Sequence, residues 1–337
     1  MIIDCHSHVF NGIYGFHNGC RVRSHTYGRV IWSDGDREGT WQWVPPCFKN
    51  WEDLAPVLLS YMDCEGVDIS VIQNAPNYTL PDNHGYIHQT ISRWPDRFIA
   101  CMFVDWNQDS AIEELDRWYG MGFRGLDFTL RHDTRFDGPP AQAPYRVNDA
   151  RYDPYWRKVT ELGLPVFWNP GKIGRAEYQV EAFRDLVDRF GIRLVINHMG
   201  GMGRQAGSYE GMEGLLEEAK RDGEYDRWLE GVRLAAHPNV YYDIGGYMAV
   251  WKRFDRYPYA IYAQWFDLVR AILDEVGIDK VFTGTDWPTV LRRGSYRECW
   301  DAVRYDIPFL SDTDRRKILG DNAARAFRTW GILPLGG

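Results

Sequence analysis

Ile2-Ile3-Asp4-Cys5-His6-Ser7-His8-Val9 is an apolar run in which Asp4, His6 and His8 fall at every second position. Successive side chains of a β-strand point to opposite faces, so residues two apart share a face. The run therefore predicts a strand over 2–9, with Asp4, His6 and His8 on one side. Cys5 and Ser7 would then point the other way, towards packed helices. Two imidazoles at the end of one rigid strand can converge on a single cation through ring nitrogens. A lone histidine here would read as structural; the pair at this spacing reads as a site.

Working outward, similar apolar runs recur at 69–75, 98–105, 123–129, 165–169, 194–198, 240–245 and 281–286. Between them lie helical patterns at 54–65, 111–121, 154–162, 182–190, 212–235 and 262–276. Strands alternating with helices at this spacing point to βαβ units and a parallel sheet. Eight strands favour closure into an α/β barrel over an open doubly wound sheet. No G-x-G-x-x-G follows the first strand, which argues further against a dinucleotide-binding sheet. A (β/α)8 (TIM) barrel needs about 250 residues. The 337 residues thus allow one barrel domain over 1–337, with an insertion and a C-terminal extension.

The insertion spans 11–50, after strand one, and carries Tyr14, Tyr27, Trp32, Trp41, Trp43 and Phe48. A second long connection, 131–151, follows strand four. Both follow strands and so fall on the C-terminal face, where barrel enzymes keep their chemistry. Structureless connections beyond about 15 residues are uncommon and usually functional. The insertion reads either as a lid that lays Trp41 and Trp43 on a substrate, or as a satellite core or subunit contact.

A formal charge of −8 argues against nucleic acid as a partner, because phosphate contacts demand a basic stripe. The six cysteines, Cys5, Cys20, Cys47, Cys64, Cys101 and Cys299, show no C-x-x-C spacing. No stretch reaches 18 apolar residues and no leader precedes the first strand, so the expectation is a cytoplasmic chain with reduced thiols and no membrane contact. Its partner is a small molecule; homo-oligomer formation is left open.

His198 closes the run Leu-Val-Ile-Asn-His and precedes Met-Gly-Gly, where glycine lets backbone turn sharply. Asp286 closes Val-Phe-Thr-Gly-Thr-Asp, before Trp287-Pro288. A carboxylate at a barrel strand's exit can ligate a metal, activate water, or do both. Alone, His198 would read as a core histidine and Asp286 as a helix cap. Each lies at the same end of its strand as His8, which favours a shared site.

Taken in order, Ile-Ile-Asp-Cys-His6-Ser-His8, Val-Ile-Asn-His198-Met-Gly-Gly, Thr-Gly-Thr-Asp286-Trp-Pro and Ile-Leu-Gly-Asp-Asn-Ala-Ala-Arg-Ala-Phe (318–327) resemble the amidohydrolase-related branch of the amidohydrolase superfamily. That branch includes aminocarboxymuconate-semialdehyde decarboxylase-like enzymes and lactonases acting on small cyclic acids. The resemblance covers nearly the whole chain apart from 11–50. It implies that His6 and His8 are metal ligands, that Asp286 is a ligand and proton acceptor, and that His198 polarises substrate or steers water.

The sequence departs from that pattern at the end of strand five, where metal-dependent members of the branch place a histidine and this chain reads Trp-Asn169-Pro. An amide oxygen is a weaker ligand than imidazole for zinc-like ions, so Asn169 enters the expected ligand set as its weakest member. The expected cofactor is a divalent metal, zinc before manganese, and metal-independent action stays open because some lactonases of the branch lack that histidine. Arg131 is the preferred anchor for an anionic substrate among Arg131, Lys172, Arg175, Arg204 and Arg292, with Trp287 a further candidate contact. Three functions follow: hydrolysis of a lactone or amide of a small cyclic or aromatic acid, non-oxidative decarboxylation on the same scaffold, or a catalytically inactive binding barrel.

Overall fold

The computed structural model describes residues 1–17, 20–51, 54–74, 83–130, 146–171, 173–202, 215–245, 262–292 and 294–333. Eight parallel strands form one sheet: β1 (Ile3–Ser7), β6 (Ile69–Ile72), β7 (Phe98–Met102), β8 (Gly125–Thr129), β9 (Pro165–Asn169), β10 (Arg193–Ile196), β11 (Val240–Asp243) and β12 (Val281–Phe282). The intervening numbers belong to a second, antiparallel sheet, β2 (Tyr14–His17), β3 (Cys20–His25), β4 (Arg29–Ser33) and β5 (Glu38–Gln42). The eight-stranded order follows the sequence from β1 to β12. The segment after β12 then returns to β1: Cys5 N–H donates to Thr283 O at 3.1 Å, Asp286 N–H to His6 O at 2.8 Å, and His8 N–H to Trp287 O at 2.7 Å. These bonds bring the sheet round into a nearly closed barrel, the expected fold.

Helical spacing decides which faces pack outside it. In the helix Val180–Phe190, Val180, Phe183, Leu186 and Val187 are buried, and Gly191 ends the helix in the left-handed region at φ 64°. The helix Asn83–Arg93 buries His84, Ile87 and Thr90 at the same spacing; its mostly polar sequence hid it from the pattern reading. The expected single helix over 212–235 is two, Leu215–Arg221 and Glu224–Arg233, because Gly223 takes φ 71° between them. Inside the barrel, alternate strand residues such as Ile3, Cys5, Val71, Cys101, Phe167 and Phe282 form one apolar cluster. The helix Asn322–Trp330 adds Ala323, Phe327 and Trp330 to it. Each such large apolar side chain removed from water contributes about 1.5–3 kcal/mol.

The expected facing of β1 needs a correction. Its pairing with β6 runs Asp4 opposite Ser70, then Ser7 opposite Ile72, so β1 carries one extra residue between the two pairs. A bulge of that kind reverses the inside–outside alternation beyond it. Ile3 and Cys5 therefore point into the barrel, and Asp4 points out, where Tyr296 of the helix Tyr296–Asp301 donates to its carboxylate at 3.0 Å. Past the bulge, Ser7 bonds Ser70 at 2.7 Å, while His6 and His8 enter the barrel as expected.

The 11–50 insertion is ordered sheet, and the apolar side chains around it dock it to the barrel. Val22, Val30, Trp43, Phe48 and Trp51 join the same hydrophobic cluster as Leu54 and Leu58 of the helix Leu54–Glu65. Phe48 lies 6.0 Å from Trp287, ring centre to ring centre, and Trp51 stacks on Phe10 at 6.1 Å. No helix among the described residues is long and apolar enough to cross a membrane.

Candidate active site

His6 and His8 leave β1 into the barrel mouth, and Asp286 arrives from the opposite side of the closure. His6 Nε2 is 3.1 Å from His8 Nε2, which is 3.0 Å from Asp286 Oδ1, and His6 Nε2 is 3.8 Å from the same oxygen. All three residues are buried. Glycine is required where the segment after β12 crosses His6. A Cβ on Gly284 would sit 2.6 Å from His6 N and 2.7 Å from His6 Cβ.

Backbone strain marks the same place. Asp286 and His198 both have φ 56°, and Met199 has φ 50°, a left-handed conformation that non-glycine residues rarely adopt. Such residues cost on the order of 1–3 kcal/mol and gather at functional sites, where surrounding structure enforces them. For His198 the strained turn brings its ring to 4.3 Å from the His6 ring, centre to centre.

The tautomer of His8 follows from its surroundings. His8 Nδ1 lies 2.8 Å from the carbonyl oxygen of Gln73, which can only accept, so Nδ1 carries a hydrogen. Burial alone would lower the pKa of His8. The hydrogen bond and charge of Asp286, with the charge of Asp127 and the Gln73 carbonyl, outweigh it and raise the value above the ordinary one. The lone pair of neutral His8 is thus on Nε2, aimed at His6 and Asp286.

Three residues that sequence reasoning missed complete the floor. Asn197 Nδ2 donates to Gln73 Oε1 at 2.8 Å and to Asn169 Oδ1 at 3.3 Å, and Asn169 Nδ2 donates to Asp127 Oδ1 at 2.7 Å. Asn169 therefore reaches the interior at the end of β9 as expected, with its amide engaged by Asp127 and Asn197. Asp243, at the end of β11, is a fourth missed residue. Its Oδ1 accepts from Gly245 N–H at 2.8 Å, and Oδ2 is 3.8 Å from His6 Nδ1, with both side chains fully buried. Burial pushes the Asp243 carboxyl up to about 7, against hydrogen bonds from the backbone of Gly245 and His198. Asp243 closes an apolar run before Ile-Gly-Gly, the same signal that singled out His198.

The expected substrate contacts are placed less centrally. Trp287 is fully buried, its ring 6.0 Å from Phe48 and 6.2 Å from Tyr61, so it ties the insertion to the Asp286 turn. Trp43 is buried in the core under the insertion; Trp41 is half-buried with its ring 4.8 Å from Trp43. Arg131, Lys172 and Arg204 lie outside the described residues, and Arg175 is exposed.

The donor set fits a divalent cation of the zinc or manganese kind. Two imidazole nitrogens and a carboxylate oxygen converge within 4.8 Å of one another, from the end of β1 and the turn beyond β12.

Residues 3–329 match the family model described as amidohydrolase, and the chain belongs to that family. No curated relative matches the sequence. Among solved structures, the chain is similar to an amidohydrolase from Burkholderia multivorans with bound zinc, at 19% identity and TM-score 0.66, over 97% of this chain and 99% of that one. It is also similar to a probable 2-pyrone-4,6-dicarboxylic acid hydrolase from Acinetobacter baumannii with citric acid bound, at 17% identity and TM-score 0.64, over 97% and 99%. A 2,6-dihydroxybenzoate decarboxylase from Rhizobium matches at 17% identity and TM-score 0.56, over 83% and 90%. At these identities the likeness is one of fold.

Proposed function

We propose that this protein is a hydrolase that opens the ester or amide bond of a small cyclic or aromatic acid, a lactone foremost, at the His6–His8–Asp286 cluster. The observation that carries the reading is the convergence of His6 Nε2, His8 Nε2 and Asp286 Oδ1 at the barrel mouth. A divalent cation held there would polarise the carbonyl and acidify water. Asp286, at the strained turn beyond β12, takes the proton from the attacking water and returns it to the leaving oxygen. His198, packed beside His6, donates to the oxyanion that develops as the carbonyl is attacked. The Gln73–Asn197–Asn169–Asp127 chain holds the floor rigid, so the attacking geometry is set before substrate arrives. The insertion sheet, with Trp41 half-buried on it, roofs the pocket and excludes water.

The likeness to a 2-pyrone-4,6-dicarboxylic acid hydrolase over nearly the full length of both chains supports a lactone of a dicarboxylic acid as the first substrate to try. Non-oxidative decarboxylation is the rival, supported by the likeness to a 2,6-dihydroxybenzoate decarboxylase over 83% of this chain and 90% of that one. The test is a panel assay of zinc- and manganese-loaded protein. Ring opening of 2-pyrone-4,6-dicarboxylate and related lactones is followed by absorbance, and carbon dioxide release from dihydroxybenzoates by trapping. Ring opening without carbon dioxide release is expected. Carbon dioxide release alone installs the rival, and inactivity on both arms contradicts the lactone reading.

A further inference from the structure

We infer that Asp243 is a positioning residue for the cation site, holding His6 as the tautomer whose hydrogen is on Nδ1 and whose Nε2 lone pair faces His8 and Asp286. The inference rests on reading His6, His8 and Asp286 as a cation site.

The argument starts from the second imidazole. The Gln73 carbonyl fixes hydrogen on His8 Nδ1, which leaves the His8 Nε2 lone pair for a ligand. His6 Nε2 is only 3.1 Å from that atom. For both nitrogens to serve one cation, His6 Nε2 must also present a lone pair, and the single hydrogen of neutral His6 must move to Nδ1. Asp243 presents its carboxylate to that atom, Oδ2 at 3.8 Å, with neither side chain exposed to water. At this separation the interaction is charge with dipole rather than a short hydrogen bond. In a buried setting it still favours an N–H over a lone pair facing the carboxylate, because weak screening magnifies the difference.

Asp243 is itself held in place. Gly245 N–H holds Oδ1 at 2.8 Å, and the His198 backbone N–H also bonds the carboxylate. One side chain thus links β11, the strained His198 turn and the first metal-ligand candidate. Carboxylates behind metal-bound histidines act in this way, and their loss weakens metal binding by about 10–100-fold.

The substituents at 243 separate this role from simple packing. In Asp243→Asn the Gly245 N–H takes the amide oxygen, which turns the NH2 group towards His6 Nδ1. That favours the wrong His6 tautomer, with hydrogen on Nε2. Asp243→Ala removes the preference without reversing it. Zinc affinity should therefore fall in the order wild type, alanine variant, asparagine variant, with the asparagine variant about 10–100-fold below wild type. A packing role predicts the opposite order for the two variants, because asparagine fills the space and alanine leaves a void.

The experiment is competitive zinc titration of the chelator-stripped full chain against a chromophoric chelator, for all three proteins. Imidazole nitrogen NMR of the zinc-loaded wild type accompanies it and needs no variant to fold. The expected result is the stated order, with hydrogen on His6 Nδ1. Asparagine binding as tightly as wild type, the reversed order, or hydrogen on His6 Nε2 overturns the inference while the cation site stands. A wild type that takes up no zinc or manganese overturns both.

Discussion

Asp286 and His198 share a left-handed backbone conformation that costs energy, φ 56° in each. The bond from Asp286 N–H to His6 O, 2.8 Å, joins this strain to the first histidine. If Asp286 moves the proton, Asp286→Asn keeps shape but loses the base, and kcat should fall on the order of 10²–10⁴-fold with folding intact by circular dichroism. A variant within a few-fold of wild type removes Asp286 from proton transfer. Asp4 makes a separate prediction. Burial pushes its carboxyl from the usual 3.8 up to about 7, against hydrogen bonds from Thr285, His6 and Tyr296. The folded chain therefore keeps a proton that the unfolded chain has already released. Stability from this group is complete below about pH 4 and is lost as pH rises towards 7, at ~1.4 kcal/mol per pH unit. Urea unfolding of Asp4→Asn between pH 4 and 7 should show a shallower decline than wild type; an equal slope contradicts the assignment. At this scale His6 and His8 were legible from their two-residue spacing on one apolar strand, and His198 and Asp286 because each closes an apolar run. Asp243 closes one too, but a terminal carboxylate is most simply a helix cap, and Asp127 sits in the middle of its strand, where nothing sets it apart. The outward turn of Asp4 was not legible at all, since a bulge leaves no mark in residue type.

Among the elements, the eight strands could be read from alternating apolar runs and turn residues, and their order needed no more than the rule that neighbours in sequence pair. The last barrel strand, β12, is regular for only Val281–Phe282, because Gly284 lets the chain press against His6 and Asp286 turns it away. The insertion was legible as an aromatic segment and not as a sheet. Its strands alternate imperfectly, for both faces of the sheet carry large side chains such as Ile31 and Trp32. Trp43 and Trp41 now divide the two roles once open to the pair. Trp43, buried at 3% exposure, anchors the sheet, so Trp43→Ala should cost about 3–5 kcal/mol in chemical denaturation. Trp41 is the roofing candidate, so Trp41→Ala should raise KM or lower kcat with a smaller loss of stability. If Trp41→Ala changes only stability, the sheet packs against the barrel without serving the pocket.

For the molecule as a whole, an amidohydrolase-family barrel supplies the rigidity that a three-ligand site needs, and the charge of −8 lies over it without defining it. Substrate choice was never legible, because it depends on loop side chains whose placement sequence pattern does not fix. A cation bound only by the folded barrel also stabilises it, by about 2.7 kcal/mol at a hundredfold excess over Kd. Binding and fold are therefore read in one experiment. The most direct test is a calorimetric zinc titration of the chelator-stripped chain, run beside the His6→Ala/His8→Ala double variant with melting recorded for both. The account predicts one ion per wild-type chain with a raised Tm, and neither uptake nor Tm shift in the double variant. Equal uptake by both proteins, or none by the wild type, would contradict it.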